Sequence, residues 1–233
     1  FSQEGVQEVS NGSFSQEGVE EITNGDFSSD TDWIKSTGWT IIGGKATSDG
    51  TTSNLTQFAV SNVGLYYKVV VSVSDITNGN LSVRLGDTSS YEIGNISSDG
   101  VYIFYSKSTN TNFQFRSQNN FIGSIDNVSV KEVGQDWEFN STAILTSNGM
   151  NITTGGFIRQ DVVTIGKSYK LTYDIVSYTS GDIRLYDGTS QGNIPTSVGS
   201  NTFNFTAGGS VFLIQGNSAS LDLTITNISV KEV

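Results

Sequence analysis

Asn127-Val128-Ser129-Val130-Lys131-Glu132-Val133 returns one hundred residues later as Asn227-Ile228-Ser229-Val230-Lys231-Glu232-Val233. Six of the seven residues are identical, and the seventh exchanges Val for Ile. In both copies apolar and polar residues alternate, which is the period of a half-buried β-strand. A repeat at this spacing reads as one closing strand used by two consecutive units of about 100 residues each.

The composition agrees. Of 233 residues, 26 are Gly and 1 is Pro, so turns fall to Asn-Gly, Asp-Gly and Gly-Gly. Ser, Thr and Asn fill the polar positions, and these are weak helix formers. Outward from the closing strand, the first unit shows candidate strands at 38–42, 45–48, 55–60, 66–74, 81–85, 101–106, 112–116 and 123–131. Gly43-Gly44, Asp49-Gly50, Asn78-Gly79 and Asp99-Gly100 punctuate them. This rhythm is that of a sandwich or barrel. The second unit lines up with the first. Leu55-Thr56-Gln57 answers to Ile158-Arg159-Gln160, and Leu81–Leu85 to Asp182–Tyr186 with a shift of one residue. The expected fold is all-β: two tandem antiparallel β-sandwich (jelly-roll) domains at 21–133 and 134–233 without a linker, behind an extended arm at 1–20.

The arm carries its own repeat. Phe1-Ser2-Gln3-Glu4-Gly5-Val6 returns as Phe14-Ser15-Gln16-Glu17-Gly18-Val19, and Asn11-Gly12 is answered by Asn24-Gly25. The segment has too little apolar mass for a core of its own. Phe1, Phe14 and Phe27 recur at a spacing that suggests docking on a neighbour, so they are read as assembly contacts. The chain opens on Phe1 rather than Met, which suggests a processed or trimmed N-terminus.

The net charge of −11 argues against nucleic acid and against an anionic membrane surface. His and Cys are both 0, which removes disulfides, Cys/His zinc sites and the usual histidine-based nucleophiles. No two carboxylates stand out as a glycosidase pair. No enzyme activity is expected.

A family resemblance rests on Asn24-Gly25-Asp26-Phe27, Asp32-Trp33, Gly38-Trp39-Thr40-Ile41, Gly43-Gly44-Lys45-Ala46 and Ser124-Ile125-Asp126-Asn127-Val128-Ser129-Val130. The chain resembles the galactose-binding-like jelly roll of carbohydrate-binding modules, families four and nine. The variant ending in IDNVSVKEV is similar to repeated modules of tailed-bacteriophage tail, fibre and capsid-decoration proteins. The resemblance covers most of 22–133 and, more weakly, 134–233. The second unit departs from it: it starts directly at Gly134-Gln135-Asp136-Trp137 with no Asn-Gly-Asp-Phe opening, and Thr226 stands where the first has Asp126.

The resemblance implies a structural calcium near Asp26 and Asp126, and glycan recognition. Sugar binding takes an exposed aromatic plane beside fixed polar groups. In the first unit the candidates are Trp33, Trp39, Tyr91 and Phe121, with Arg84 and Gln114 as polar neighbours. Arg184 and Tyr186 are their counterparts in the second, with Trp137 and Tyr178. Trp39 and Trp137 begin strands, a position that equally suits core plugs. The expected role is that of a non-catalytic component of a tailed-bacteriophage particle, on the virion surface. Its partners would be other virion proteins, sister chains in a homo-oligomer such as a trimer, and host-surface glycans. The alternative is a carbohydrate-binding module pair from a secreted bacterial glycosidase or surface adhesin.

Overall fold

Strands that are apolar at every second position bury one face and leave the other to water, and two such sheets close on each other. A computed structural model describes residues 4–140 and 142–233 and shows this arrangement twice. The chain divides into two compact units, one of Glu17–Val133 and the other of Gly134–Val233 together with the segment ending at Gln16. Phe1 lies outside the described residues.

The Glu17–Val133 unit holds β1 (Glu17–Glu20), β2 (Ile34–Lys35), β3 (Trp39–Ile42), β4 (Lys45–Asp49), β5 (Asn54–Gln57), β6 (Tyr66–Arg84), β7 (Glu92–Ile96), β8 (Gly100–Lys107) and β9 (Phe113–Val133). The other holds β10 (Glu138–Phe139), β11 (Ala143–Thr146), β12 (Gly149–Thr153), β13 (Phe157–Gln160), β14 (Ser168–Ser180), β15 (Ile183–Tyr186), β16 (Ser190–Ile194), β17 (Gly199–Thr206), β18 (Phe212–Gly216) and β19 (Asp222–Glu232). The latter unit is two separate antiparallel sheets, ordered β11-β12-β19-β14-β17 and β10-β13-β18-β15-β16.

The first unit has the same two layers, but β6 and β9 each run through both. Tyr66–Val73 pairs with β8 in one layer, and Leu81–Arg84 pairs with β7 in the other. The sequence Asn78-Gly79 predicts a turn. The chain instead bulges there and continues, with register shifts between Ser74 and Asn80 and positive φ at Asp75 and Gly79. A bulge of this kind lets one strand turn the corner from sheet to sheet. Between the layers lie Val69, Val71, Leu81, Val83, Phe113 and Phe115 in one unit, and Leu171, Tyr173, Leu185, Ile214 and Ile225 in the other, all at most 1% exposed.

Over the described residues 4–20 the expected arm is not a separate element. Its two repeats are the opening segments of the two units. In the first, Trp33 donates from Nε1 to Asn24 O at 3.0 Å, and its ring lies 5.2 Å from that of Phe27. In the second, Trp137 donates from Nε1 to Asn11 O at 2.9 Å, and its ring lies 5.0 Å from that of Phe14. Asn11, Phe14, Asn24 and Phe27 all have positive φ, between 46° and 59°. A Cβ on Gly12 would stand 1.9 Å from Ile228 O, and one on Gly25 2.1 Å from Val128 O. Only glycine permits that approach of opening segment to closing strand.

Two further devices are duplicated. The buried Gln57 amide donates to Thr23 O at 2.6 Å and accepts from Thr23 N at 3.3 Å. Gln160 does the same with Ser10, at 2.8 and 3.1 Å. Glu17 bridges Lys68 and Lys131 at 2.6 and 3.0 Å, and Glu4 bridges Lys170 and Lys231 at 2.7 and 3.3 Å. The second unit therefore does have an Asn-Gly-X-Phe opening, Asn11-Gly12-Ser13-Phe14, drawn from before the first unit in sequence. The Glu17–Val133 unit is an insertion, and its ends meet: Glu17 is the register partner of Val133.

Candidate functional site

Core residues in β5, β9, β6 and β7 alternate with residues turned away from the core. The cross-strand register sorts these into rows. Thr56, Gln114, Arg84 and Glu92 form one row, and Asn54, Arg116, Ser82 and Asn95 form the next. All eight side chains are hydrogen-bonding groups. Thr56, Gln114, Ser82 and Arg84 are at most 6% exposed, whereas Glu92 and Asn95 are exposed.

Arg84 lies at the middle of this band. Its Nε donates to Ser82 Oγ at 2.9 Å and its Nη1 to Gln114 Oε1 at 3.4 Å. Ser82 Oγ passes the bond on to Glu92 Oε2, and Gln114 Nε2 donates to Thr56 Oγ1 at 3.2 Å. Asn80 extends the network, donating to Asn95 Oδ1 at 2.7 Å and Gln118 Oε1 at 3.1 Å. Arg116 Nη1 donates to Asn54 Oδ1 at 3.1 Å. Burial and then the charge of Arg116 lower the pKa of the Arg84 guanidinium, against the opposing pull of Glu92. The group still stays charged, because arginine starts so high.

The matching face of the other unit has the rows Arg159, Leu213, Tyr186, Ser190 and Phe157, Gln215, Arg184, Asn193. Arg184 Nη2 donates to Gln215 Oε1 at 3.0 Å, while its buried Nε has no hydrogen-bond partner. Arg159 is held by Asp161 at 3.0 Å and Glu138 at 3.5 Å. Tyr186 is 37% exposed and presents an aromatic plane beside these groups. The register corrects the expected correspondence: Tyr186 occupies the place of Arg84, and Arg184 that of Ser82. The two faces thus share a layout and differ in chemistry. The chain has four arginines, Arg84, Arg116, Arg159 and Arg184, and all four sit on these faces, two per unit.

Of the residues picked out from sequence, the structure brings Arg84 and Gln114 together on one face and Arg184 and Tyr186 on neighbouring rows of the other. Trp33, Trp39 and Phe121 are 6%, 4% and 0% exposed. Trp33 stacks against Phe115 at 6.0 Å and Trp39 packs against Phe121 at 6.4 Å. Trp39 and Phe121 fall on the core parity of β3 and β9, and Trp33, just ahead of β2, is drawn inward by its bond to Asn24 O and its packing on Phe27 and Phe115, so none can serve as a platform. Tyr91 is half-buried at the edge of the first face, lining a depression of about 170 Å³ with Glu92, Ile93 and Lys107. Thr56, Ser82, Glu92, Asn95 and Arg116, and Gln215 and Asn193, join these faces without having been among the candidates. Their signal was the polar half of the same alternation. Phe14 and Phe27, read as assembly contacts, are 2% and 1% exposed inside their own units.

Asp26 is exposed and accepts from Ser28 N at 3.2 Å, and Asp126 accepts from Asn127 N at 2.7 Å. Among the described residues no group of three or more acidic or metal-binding side chains gathers. Calcium takes six to eight oxygens. Asp26 and Asp126 would supply only part of such a shell, the remainder falling to backbone carbonyls and water. In the other unit the corresponding residues are Ser13 and Thr226, with Thr226 Oγ1 donating to Ser13 O at 3.4 Å.

No protein family's sequence model matches the chain, and no curated protein does. Among solved structures the chain is similar to the N-terminal CBM22-1–CBM22-2 tandem domain of Xyn10C from Paenibacillus barcinonensis. The identity is 8%, the TM-score 0.36, and the overlap spans 95% of this chain and 100% of that one. At that score the similarity supports no inference about function.

Proposed function

We propose that the protein is a non-catalytic glycan-binding module pair with one binding face per unit, carried on the surface of a tailed-bacteriophage particle as a decoration or fibre component. The observation that carries the binding role is the placement of all four arginines on one outward sheet face per unit, with Arg116, Arg159 and Arg184 partly exposed and Arg84, 4% exposed, bracing the hydrogen-bond network of its face. Sugars present rows of hydroxyls, each both donor and acceptor. A preorganised array of guanidinium, amide and hydroxyl groups meets them without paying to order each side chain. Tyr186 adds the apolar plane on which a pyranose ring can lie. The chain has no histidine or cysteine for nucleophilic chemistry, and its arginines are held by neighbours rather than aimed at a reacting centre.

The particle setting rests on the likeness of the closing strand to phage virion modules. Sister-chain assembly, such as a trimer, and contacts with other virion proteins belong to that setting. One observation favours the alternative, a module pair from a secreted bacterial glycosidase or adhesin. The segment expected to anchor the chain to a particle is used inside the chain, with Phe14 and Phe27 both buried. A glycan array probed with the full chain tests the binding role. Selective signals that fall with Arg116→Met or Tyr186→Ala support it, and a blank array overturns it. Mass spectrometry of purified virions decides the setting.

A further inference from the structure

The opening segment of the second unit is the one part of that unit that arrives from elsewhere in the chain. It attaches by strand addition. β12 covers one side of β19 over Asp222–Ile225, and β14 runs along the other. Beyond Ile225 the first side is taken by residues 4–12. Gly5 N donates to Glu232 O at 2.8 Å, Glu8 N to Val230 O at 2.9 Å, and Ile228 N to Gly12 O at 3.0 Å, with an antiparallel bridge between Gln7 and Lys231. Side chains then select the strand. Glu4 meets Lys170 and Lys231, Gln160 clasps Ser10, and Phe14 fills the space against Trp137. An exposed sheet edge with specific side-chain acceptors is the general form of a peptide-binding groove. Its occupant here is fixed by charge, by the glycine at 12 and by the phenylalanine at 14.

We infer that residues 4–14 are a transferable strand, and that the β19 edge accepts this strand from a second copy of the chain as well as from its own. The result is a strand-exchanged assembly, reciprocal in a dimer or open-ended in a chain of copies. All of these contacts lie within one unit, so they are reproduced unchanged when the strand comes from another molecule. The monomer is favoured at low concentration by the high effective concentration of a tethered strand. Exchange is favoured where chains fold close together.

The chain has no cysteine, and a Cβ on Gly5 would lie 3.1 Å from Glu232 Cβ. That is near the roughly 3.5–4.5 Å spacing of a disulfide. The test uses three full-length variants: Gly5→Cys, Glu232→Cys and the double variant. Mild oxidation of the double variant alone should give an intrachain crosslink, and failure to do so overturns the docking itself. Gly5→Cys and Glu232→Cys chains are then unfolded, mixed, refolded together and oxidised. Strand exchange predicts a covalent heterodimer joined 5-to-232, in clear excess over 5-to-5 and 232-to-232 products, rising with protein concentration. A yield no greater than those chance pairs, with the double variant crosslinking normally, overturns the inference.

Discussion

Phe14→Ala separates the observed organisation from the simpler one in which an arm precedes two modules. Phe14 is 2% exposed, and its ring centroid is 5.0 Å from that of Trp137. Truncating a buried phenylalanine costs about 3–5 kcal/mol, from lost transfer energy and the cavity left behind. The same truncation at Phe27, 1% exposed and 5.2 Å from Trp33, carries a similar cost. Phe14 is close in sequence to the Glu17–Val133 unit but folds with the other. Hydrogen exchange read by mass spectrometry therefore discriminates. In Phe14→Ala, protection should fall in peptides from 134–160 and 222–233 and hold in those from 39–133. For amides that exchange through opening of the whole unit, the loss should be roughly two to four powers of ten. Phe27→Ala should give the reverse pattern. If Phe14→Ala loses protection in 39–133, or costs under about 1 kcal/mol, the division of the chain at Gln16–Glu17 is wrong.

Three further outcomes follow from the same geometry. The Glu17 pKa is lowered, first by its bond from Lys68 and then by that from Lys131. Its stabilising effect is complete above the ordinary carboxylate range and disappears as pH falls through the depressed value, so Glu17→Gln should flatten the acid limb of the melting temperature against pH. Asp187 is 0% exposed and accepts from Thr189 N, Thr189 Oγ1, Gln191 Nε2 and Gly208 N at 3.0, 2.8, 2.8 and 2.8 Å. Asp187→Ala strands those donors and should cost about 3 kcal/mol or more by urea unfolding. Arg84→Met removes the donor shared by Ser82 and Gln114. It should cost about 1.5–3 kcal/mol while leaving the other unit's melting unchanged.

Much of this was legible in the alternation of residues. The closing strands and the two sandwiches follow from which residues are polar in an otherwise apolar run. Two things were not. Aromatic identity suggests platforms at Trp33, Trp39 and Phe121, but parity along the strand decides the face that Trp39 and Phe121 take, and the Asn24 carbonyl and Phe27 ring draw Trp33 inward. Trp39 and Ile41 share the inward parity. The second gap was the partner of each opening repeat. The thirteen-residue period was visible, and so was the second module's missing opening. That one supplies the other depends on Asn11 O reaching Trp137 Nε1 across 126 positions of chain, a contact no local pattern encodes. The long β6 strand is divided in sequence for a related reason: Asn78-Gly79 serves a bulge as well as a turn, and tertiary pairing chooses between them; β9 has positive φ at Asn119 and Asn120 within its own run.

The most direct test of the binding role uses the arginines themselves. Four guanidinium groups give four side-chain Nε–H resonances, all on the two proposed faces. Titration of the labelled full chain with a glycan selected on the array should shift the resonances of Arg84 and Arg116, or of Arg159 and Arg184, and leave amides on the opposite sheets in place. Binding that moves residues elsewhere while all four arginine signals stand still would contradict the account.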